Sequence, residues 1–222
     1  MPTYTALVDR LGAIADEVPG AVIANSLGME DMLLVHAAAE AGLTLGVLVL
    51  ETGRLHEQTL ALLDTAMARY AGLNWDVRSP DSQALARIIQ TDGVNGFRRS
   101  VAARQACCQA RKVIPLNQAL AGYPGWITGQ RRAQSLTREA LGLRETDGHG
   151  RLKFNPLANW SLKQVRASID ALDIPINPLH DQHFPSIGCA PCTRAISAGE
   201  DVRAGRWWWE QPDSKECGLH PL

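Results

Sequence analysis

Short apolar runs alternate with longer amphipathic stretches through the first half of the chain. Ala21–Asn25, behind Pro19-Gly20, is compact and apolar and predicts a strand. Leu43–Leu50 is a second strand-length apolar run, as a buried parallel strand should be. Between them Met32–Ala41 reads as a helix that Gly42 stops, and Ser26–Asp31 as the loop leading into it. Thr52–Thr59 leads into a helix ending near Tyr70, Asn74–Val77 is a third strand, and Asp81 or Ser82 caps a helix to Gln90. Strand, loop, helix in repetition predicts an α/β fold with a parallel sheet and right-handed crossovers.

The second half is less regular. Arg104–Ala121 reads as a helix with an irregularity at Pro115, and Ser161 with Gln164 has capping-box spacing for a helix through Leu172. Gly125–Thr128 is strand-like, and Ile174–Pro178 breaks the pattern before a stretch rich in Pro, Gly and Trp. Gln211–Leu222 has little apolar content and reads as mobile. These features predict one α/β domain over 1–205 and a C-terminal tail over 206–222.

In such sheets ligands sit at the carboxyl ends of the strands. Three loops fall there: Ser26–Asp31, Glu51–Thr59 and Thr128–Arg138.

Composition narrows the classes. The 222 residues suit one domain and are 45% hydrophobic, which argues against disorder. Lys+Arg 22 against Asp+Glu 23 gives a net charge of −1, so no global basic field points to nucleic acid. No apolar run reaches the roughly 18–20 residues of a membrane helix, and Met1–Val8 does not read as a secretory signal. A cytoplasmic setting is expected, where thiols stay reduced.

Five cysteines are then too odd a number for a complete disulfide framework. They fall as Cys107-Cys108, Cys189-Ala-Pro-Cys192 and Cys217. Four thiolates can close a zinc site or hold an iron–sulfur cluster. Adjacent helical side chains diverge by about 100°, a splay that suits the wider span of a cubane better than one ion. Packing of Cys107 and Cys108 as small hydrophobes, and a thioredoxin-like redox use of Cys189 and Cys192, are the alternatives. Lys112 lies four residues after Cys108, on the same helical face, where it would offset thiolate charge.

Cys217 stands apart, in Lys215-Glu-Cys-Gly-Leu-His220. Lys215 and His220 would lower its pKa, and Gly218 supplies mobility. Such a thiolate can attack one partner and then meet another. Local cations gather at Arg131, Arg132 and Arg138, and at Arg203 and Arg206, which share a face if helical. Guanidinium forks match phosphate and sulfate oxygens. His56, His180 and His183 read as structural residues, and Trp207–Trp209 as packing.

Six segments together resemble the assimilatory sulfonucleotide reductase family, nearest its iron–sulfur adenylyl-sulfate reductases. They are Ser26–Asp31, Glu51–Thr59, Cys107–Lys112, Thr128–Ser135, Gly188–Thr193 and Lys215–His220, in family order. The resemblance implies an adenine nucleotide alpha hydrolase-like fold related to PP-loop ATP pyrophosphatases. It implies one [4Fe-4S] cluster per subunit on Cys107, Cys108, Cys189 and Cys192, with Lys112 between cluster and substrate sulfate. Cys217 is then the nucleophile that reduces adenosine 5′-phosphosulfate to sulfite and AMP through an S-sulfocysteine, in sulfate assimilation and cysteine biosynthesis. Electrons come from thioredoxin or a glutaredoxin-like dithiol.

The substrate-binding set implied is Ser26, Leu50, Thr52, Gly53, Arg54, Lys112, Arg131, Arg132, Arg138, Arg203 and Arg206, with Lys215 and His220 modulating Cys217. A homo-oligomer stays open. Ser26-Leu-Gly-Met-Glu-Asp31 departs from the Ser-Gly-Gly-x-Asp-Ser loop that wraps pyrophosphate, which weakens a case for ATP chemistry. The alternatives are a 3′-phosphoadenylyl-sulfate or dual-specificity reductase, and a zinc module that only binds a nucleotide or a partner.

Overall fold

The computed structural model describes residues 2–134 and 140–211. Its sheet is built from β1 (Val22–Asn25), β2 (Gly46–Leu50), β3 (Asn74–Arg78), β4 (Gly125–Ile127), β5 (Arg144–Thr146) and β6 (Leu152–Phe154). The strand order is β3-β2-β1-β4-β6-β5. β1 pairs in parallel with β2 and β4, β4 pairs in parallel with β6, and β5 closes the edge antiparallel to β6. This is the mostly parallel sheet that the alternating pattern predicts. Among the described residues no helix is long and apolar enough to cross a membrane.

Local chemistry explains the elements. α1 (Tyr4–Glu17) is capped by Thr3 and buries Leu7, Leu11 and Ile14, a 4-then-3 spacing that defines one helical face. α2 (Met29–Glu40) is buried almost all round from Met29 to Ala38, as a helix enclosed in the core must be. It begins three residues before the Met32 start expected from sequence, because Glu30 and Asp31 in its first turn suit the positive end of the helix dipole. α3 (Glu57–Arg69), α4 (Ser82–Asp92, capped by Asp81) and α7 (Leu162–Leu172, with the Ser161–Gln164 capping box) follow the predicted pattern.

The expected Arg104–Ala121 helix is segmented. α5 (Val101–Cys108) passes into a π turn over Gln109–Val113 and then α6 (Ile114–Leu120). Pro115 has no N–H for the carbonyl four residues back, and the widened turn immediately precedes it.

The chain divides into two compact units. The first comprises Met1–Val49, Ala61–Asp76 and Leu120–Asn177 and carries most of the sheet; the second comprises Leu50–Leu60, Val77–Ala119 and the chain from Pro178. The first holds the main core, from Leu7 and Leu33 to Ile127 and Trp160. The second has its own small core of Phe97, Cys108, Cys189, Cys192 and Trp207, with Cys107 and Trp209 packed against it.

Candidate active site

In the first unit the strand order reverses between β1 and β4, the switch point where an open α/β sheet leaves a ligand crevice. The loops after these two strands are tied together. Asp31 accepts from Ser26 N (2.8 Å), Ser26 Oγ (2.6 Å) and Gly129 N (3.1 Å). A side chain at position 129 would collide with Asp31 Oδ1 and Glu30, so only glycine admits this approach. Arg131 pairs with Glu30 at 2.7 Å, and Gln134 donates to the same carboxylate. Gln130 Oε1 is buried with no hydrogen-bond partner among the described residues.

Leu27 takes the left-handed conformation (φ 63°) with its N–H donated to Asn25 Oδ1 at 2.6 Å. Its side chain is buried where a pyrophosphate-wrapping loop has glycine, so the loop is narrower, as the sequence suggests.

Burial pushes the Asp31 carboxyl up to about 6, against the pull of the Ser26 hydroxyl and N–H. The folded chain therefore binds this proton more tightly than the unfolded chain, whose value is near 3.8. The stability it contributes is complete below pH 3.8 and is lost as pH rises through about 6. Asp31→Asn is expected to flatten stability between about pH 4 and 6, removing a slope worth at most about 3 kcal/mol. Denaturant midpoints across that range check it, and an unchanged slope would rule it out.

The second unit brings four thiols together. Cys107, Cys108, Cys189 and Cys192 line one cavity with Arg54, Phe97, Arg104, Arg111, Lys112, Pro191 and Trp207. The end of α5 and the π turn deliver Cys107, Cys108, Arg111 and Lys112 to it. A short 3-10 turn, Ala190–Cys192, delivers the other pair, anchored by Ala190 N on Arg54 O at 2.8 Å. The loop after β2 contributes Thr52, whose hydroxyl is 3.3 Å from Cys189 Sγ and whose carbonyl accepts from Arg111 Nη1 at 2.6 Å. Gly53 follows with φ 69°, beside Arg111.

Burial dominates the thiol electrostatics. It raises the Cys107 thiol against the pull of Arg111, and pushes Cys192 up to about 12, aided by Cys189 and opposed by Lys112. A metal or cluster must therefore displace protons here, and the surrounding cations favour that exchange.

Trp207 closes the cavity. It is 1% exposed and held at φ 41°, a costly conformation for a bulky residue, with its backbone N–H donated to Cys192 O at 3.1 Å. The Arg104 and Arg206 guanidiniums lie 4.6 and 4.8 Å from its ring centroid. Arg104 also grips Glu210 by two bonds of 3.0 and 2.8 Å. Arg206 bridges to Thr193 as an isolated strand pair and reaches Ser186 and Ile187 O. Gly188 leaves room for its guanidinium, which a Cβ there would strike.

The expected residues are therefore distributed. The four paired cysteines, Arg54 and Lys112 line one cavity; Thr52 and Gly53 adjoin it through Cys189 and Arg111; Leu50 ends β2. Ser26 and Arg131 stand at the first unit's switch point, with Arg131 neutralised by Glu30. Arg132 is committed to Leu141 O (2.7 Å) and Asn159 Oδ1. Arg203 and Arg206 are not on a helix: they lie in a turn and a bridge, and only Arg206 is buried against Trp207. Arg138, Lys215, Cys217 and His220 lie outside the described residues. Sequence reasoning missed Arg104, Arg111, Asp31 and Glu210. The first two carried a signal, three residues before and four after Cys107.

Among the described residues no three His, Cys, Asp or Glu side chains are grouped to hold a single metal ion. A cubane holds its thiolates farther apart than one ion does, and an all-sulfur donor set ringed by cations suits it.

These features define an α/β protein whose mostly parallel sheet reverses its strand order between β1 and β4. Among solved structures, phosphoadenylyl-sulfate reductase from Candida auris in its phosphate complex is similar in fold, with TM-score 0.71, 22% identity and coverage of 86% of this chain and 90% of that one. NMN synthetase from Francisella tularensis is a more distant likeness, with TM-score 0.57, 19% identity and coverage of 78% and 70%. Residues 20–195 match the family model of the phosphoadenosine phosphosulfate reductase domain. The chain belongs to that family. Two relatives named adenosine 5′-phosphosulfate reductase are similar over 99% of this chain. The Burkholderia cepacia protein is 48% identical and covered over 89% of its length, and the Allochromatium vinosum protein is 49% identical and covered over 86%.

Proposed function

We propose that this chain is an oxidoreductase that converts adenosine 5′-phosphosulfate to sulfite and AMP in sulfate assimilation, with electrons from a thioredoxin-type dithiol. The observation that carries the reading is the single cavity shared by four thiols, three of them buried, and the cations Arg54, Arg104, Arg111 and Lys112. A plain structural core would not gather that charge beside thiols.

Cys107, Cys108, Cys189 and Cys192 would hold a [4Fe-4S] cluster. When bound, it supplies a fixed electrostatic field and a tie between two chain segments, and no electrons. The switch-point loops of the first unit hold the nucleotide, with the Gln130 carbonyl offering an acceptor. Arginine and lysine side chains balance the phosphate and sulfate oxygens. The Cys217 thiolate attacks the sulfate sulfur, the sulfur–oxygen bond to phosphate breaks, and AMP leaves. Cys217 is then an S-sulfocysteine. A thiolate of the dithiol attacks Cys217 Sγ, sulfite departs with the bonding pair, and the second thiol resolves the mixed disulfide. Two electrons pass from the dithiol to sulfur, so no nicotinamide is needed.

The four cluster cysteines favour the unphosphorylated nucleotide over its 3′-phosphate. A sulfite-release assay with thioredoxin, comparing the two sulfonucleotides at low concentration, tests this: faster turnover of the 3′-phosphorylated form would overturn the preference. Iron and acid-labile sulfide analysis should give about four irons per chain and a brown protein, and a colourless, zinc-loaded protein would refute the cluster.

A further inference from the structure

The structure splits the tryptophan triplet that the sequence reads as packing. Trp207 is buried, but Trp208 is 37% exposed. Trp208 is not stranded. It meets Trp209 edge-on with centroids 4.7 Å apart, and Trp209 lies 6.0 Å from Phe97. Arg98, itself exposed, is set among all three, 5.5 Å from Trp208, 5.4 Å from Trp209 and 5.8 Å from Phe97. Its Nη2 donates to Pro191 O at 3.3 Å. Arg54 extends the patch, 5.8 Å from Phe97 and bonded to the carbonyl of Val94, which is 58% exposed.

Three properties suit this patch to a protein partner. An arginine and an exposed tryptophan are the residue types that dominate interface energies. Arg98 is already ordered by three rings and a hydrogen bond, so little side-chain entropy remains to be lost on binding. The segment Gly93–Gln109 exposes Arg98 and Arg99 and carries no acidic residue, so this stretch of surface is cationic.

Its place in the chain selects the partner. The patch ends at Trp209, two residues before Gln211, and Cys217 follows Trp209 by eight residues in the sequence, a reach of at most about 29 Å. Phe97 and Pro191 are shared with the thiol cavity. Any protein thiol that attacks Cys217 comes within that tether of this surface.

We infer that the Arg98–Trp208 patch is the docking surface for the dithiol protein that reduces the Cys217 intermediate, an inference that rests on the proposed function. The partner's chemistry follows: an apolar rim around its attacking cysteine, flanked by carboxylates. Docking serves the second half-reaction only, because the first involves the nucleotide alone.

Trp208→Glu and Arg98→Gln in the full chain separate the two halves. Both variants should give the wild-type burst of AMP from pre-reduced protein, and dithiothreitol should release sulfite from their preformed S-sulfo forms at the wild-type rate. The KM for thioredoxin should rise tenfold or more in each. An unchanged KM with an intact burst overturns the docking surface. So does a change of oligomeric state, read by sedimentation, with KM unchanged, since the patch would then be a contact between copies. A wild-type protein that gives neither the burst nor thioredoxin-supported turnover sinks the proposed function instead.

Discussion

Cys217→Ser is expected to remove sulfite release altogether, a loss of at least about a thousandfold in turnover, while leaving nucleotide binding within about twofold. A serine hydroxyl is not ionised at neutral pH and cannot form the sulfur–sulfur bond from which sulfite leaves. The nucleotide contacts belong to other residues, so affinity should persist. Pre-reduced wild-type protein given adenosine 5′-phosphosulfate without dithiol should release one AMP per chain and stop; the variant should release none. Retained turnover in the variant would show that another group attacks the sulfate.

Glu210→Ala is expected to cost about 3–5 kcal/mol of stability, because it leaves the Arg104 guanidinium buried without its carboxylate. The two side chains are 0% and 3% exposed, and two bonds join them. At this chain length that corresponds to a fall of roughly 6–20 °C in Tm. The double variant Arg104→Met/Glu210→Leu should recover much of the loss, since neither charge then needs a partner. Calorimetry of the three proteins checks the cycle, and a single variant within about 1 kcal/mol of wild type would refute the buried-pair account. The pair also anchors the chain seven residues before Cys217, so Glu210→Ala should slow the AMP burst more than it weakens nucleotide binding.

Asp31 and Glu210 illustrate opposite uses of a buried carboxylate. Asp31 is held chiefly by neutral donors and is raised by burial, which makes stability fall with pH. Glu210 faces a guanidinium, so its charge is matched within the fold.

Local signals carried the α/β class, most helices and the grouping of four thiols apart from a fifth. Strand-length apolar runs, capping residues and cysteine spacing are encoded within a few residues of chain, and they need no knowledge of what lies opposite. The helix Tyr4–Glu17 and the strands β5 and β6 went unread, though Leu7, Leu11 and Ile14 already marked a helical face. β5 and β6 are three-residue strands, too short for any periodicity to declare itself.

What the sequence determined by itself is the inventory: four thiols in two pairs, one thiol apart, strand-end loops, and arginines near both. Only the tertiary structure decided which cations serve which neighbour. Arg131 and Arg132 are absorbed by Glu30, Leu141 O and Asn159. Arg104 and Arg111, which attracted no notice in the sequence, line the thiol cavity. It likewise turned one tryptophan inward and its neighbour outward. The physical reason is the same in each case. A guanidinium or an indole has the same chemistry wherever it stands, and its role is settled by the group that folding places against it, often a hundred residues away.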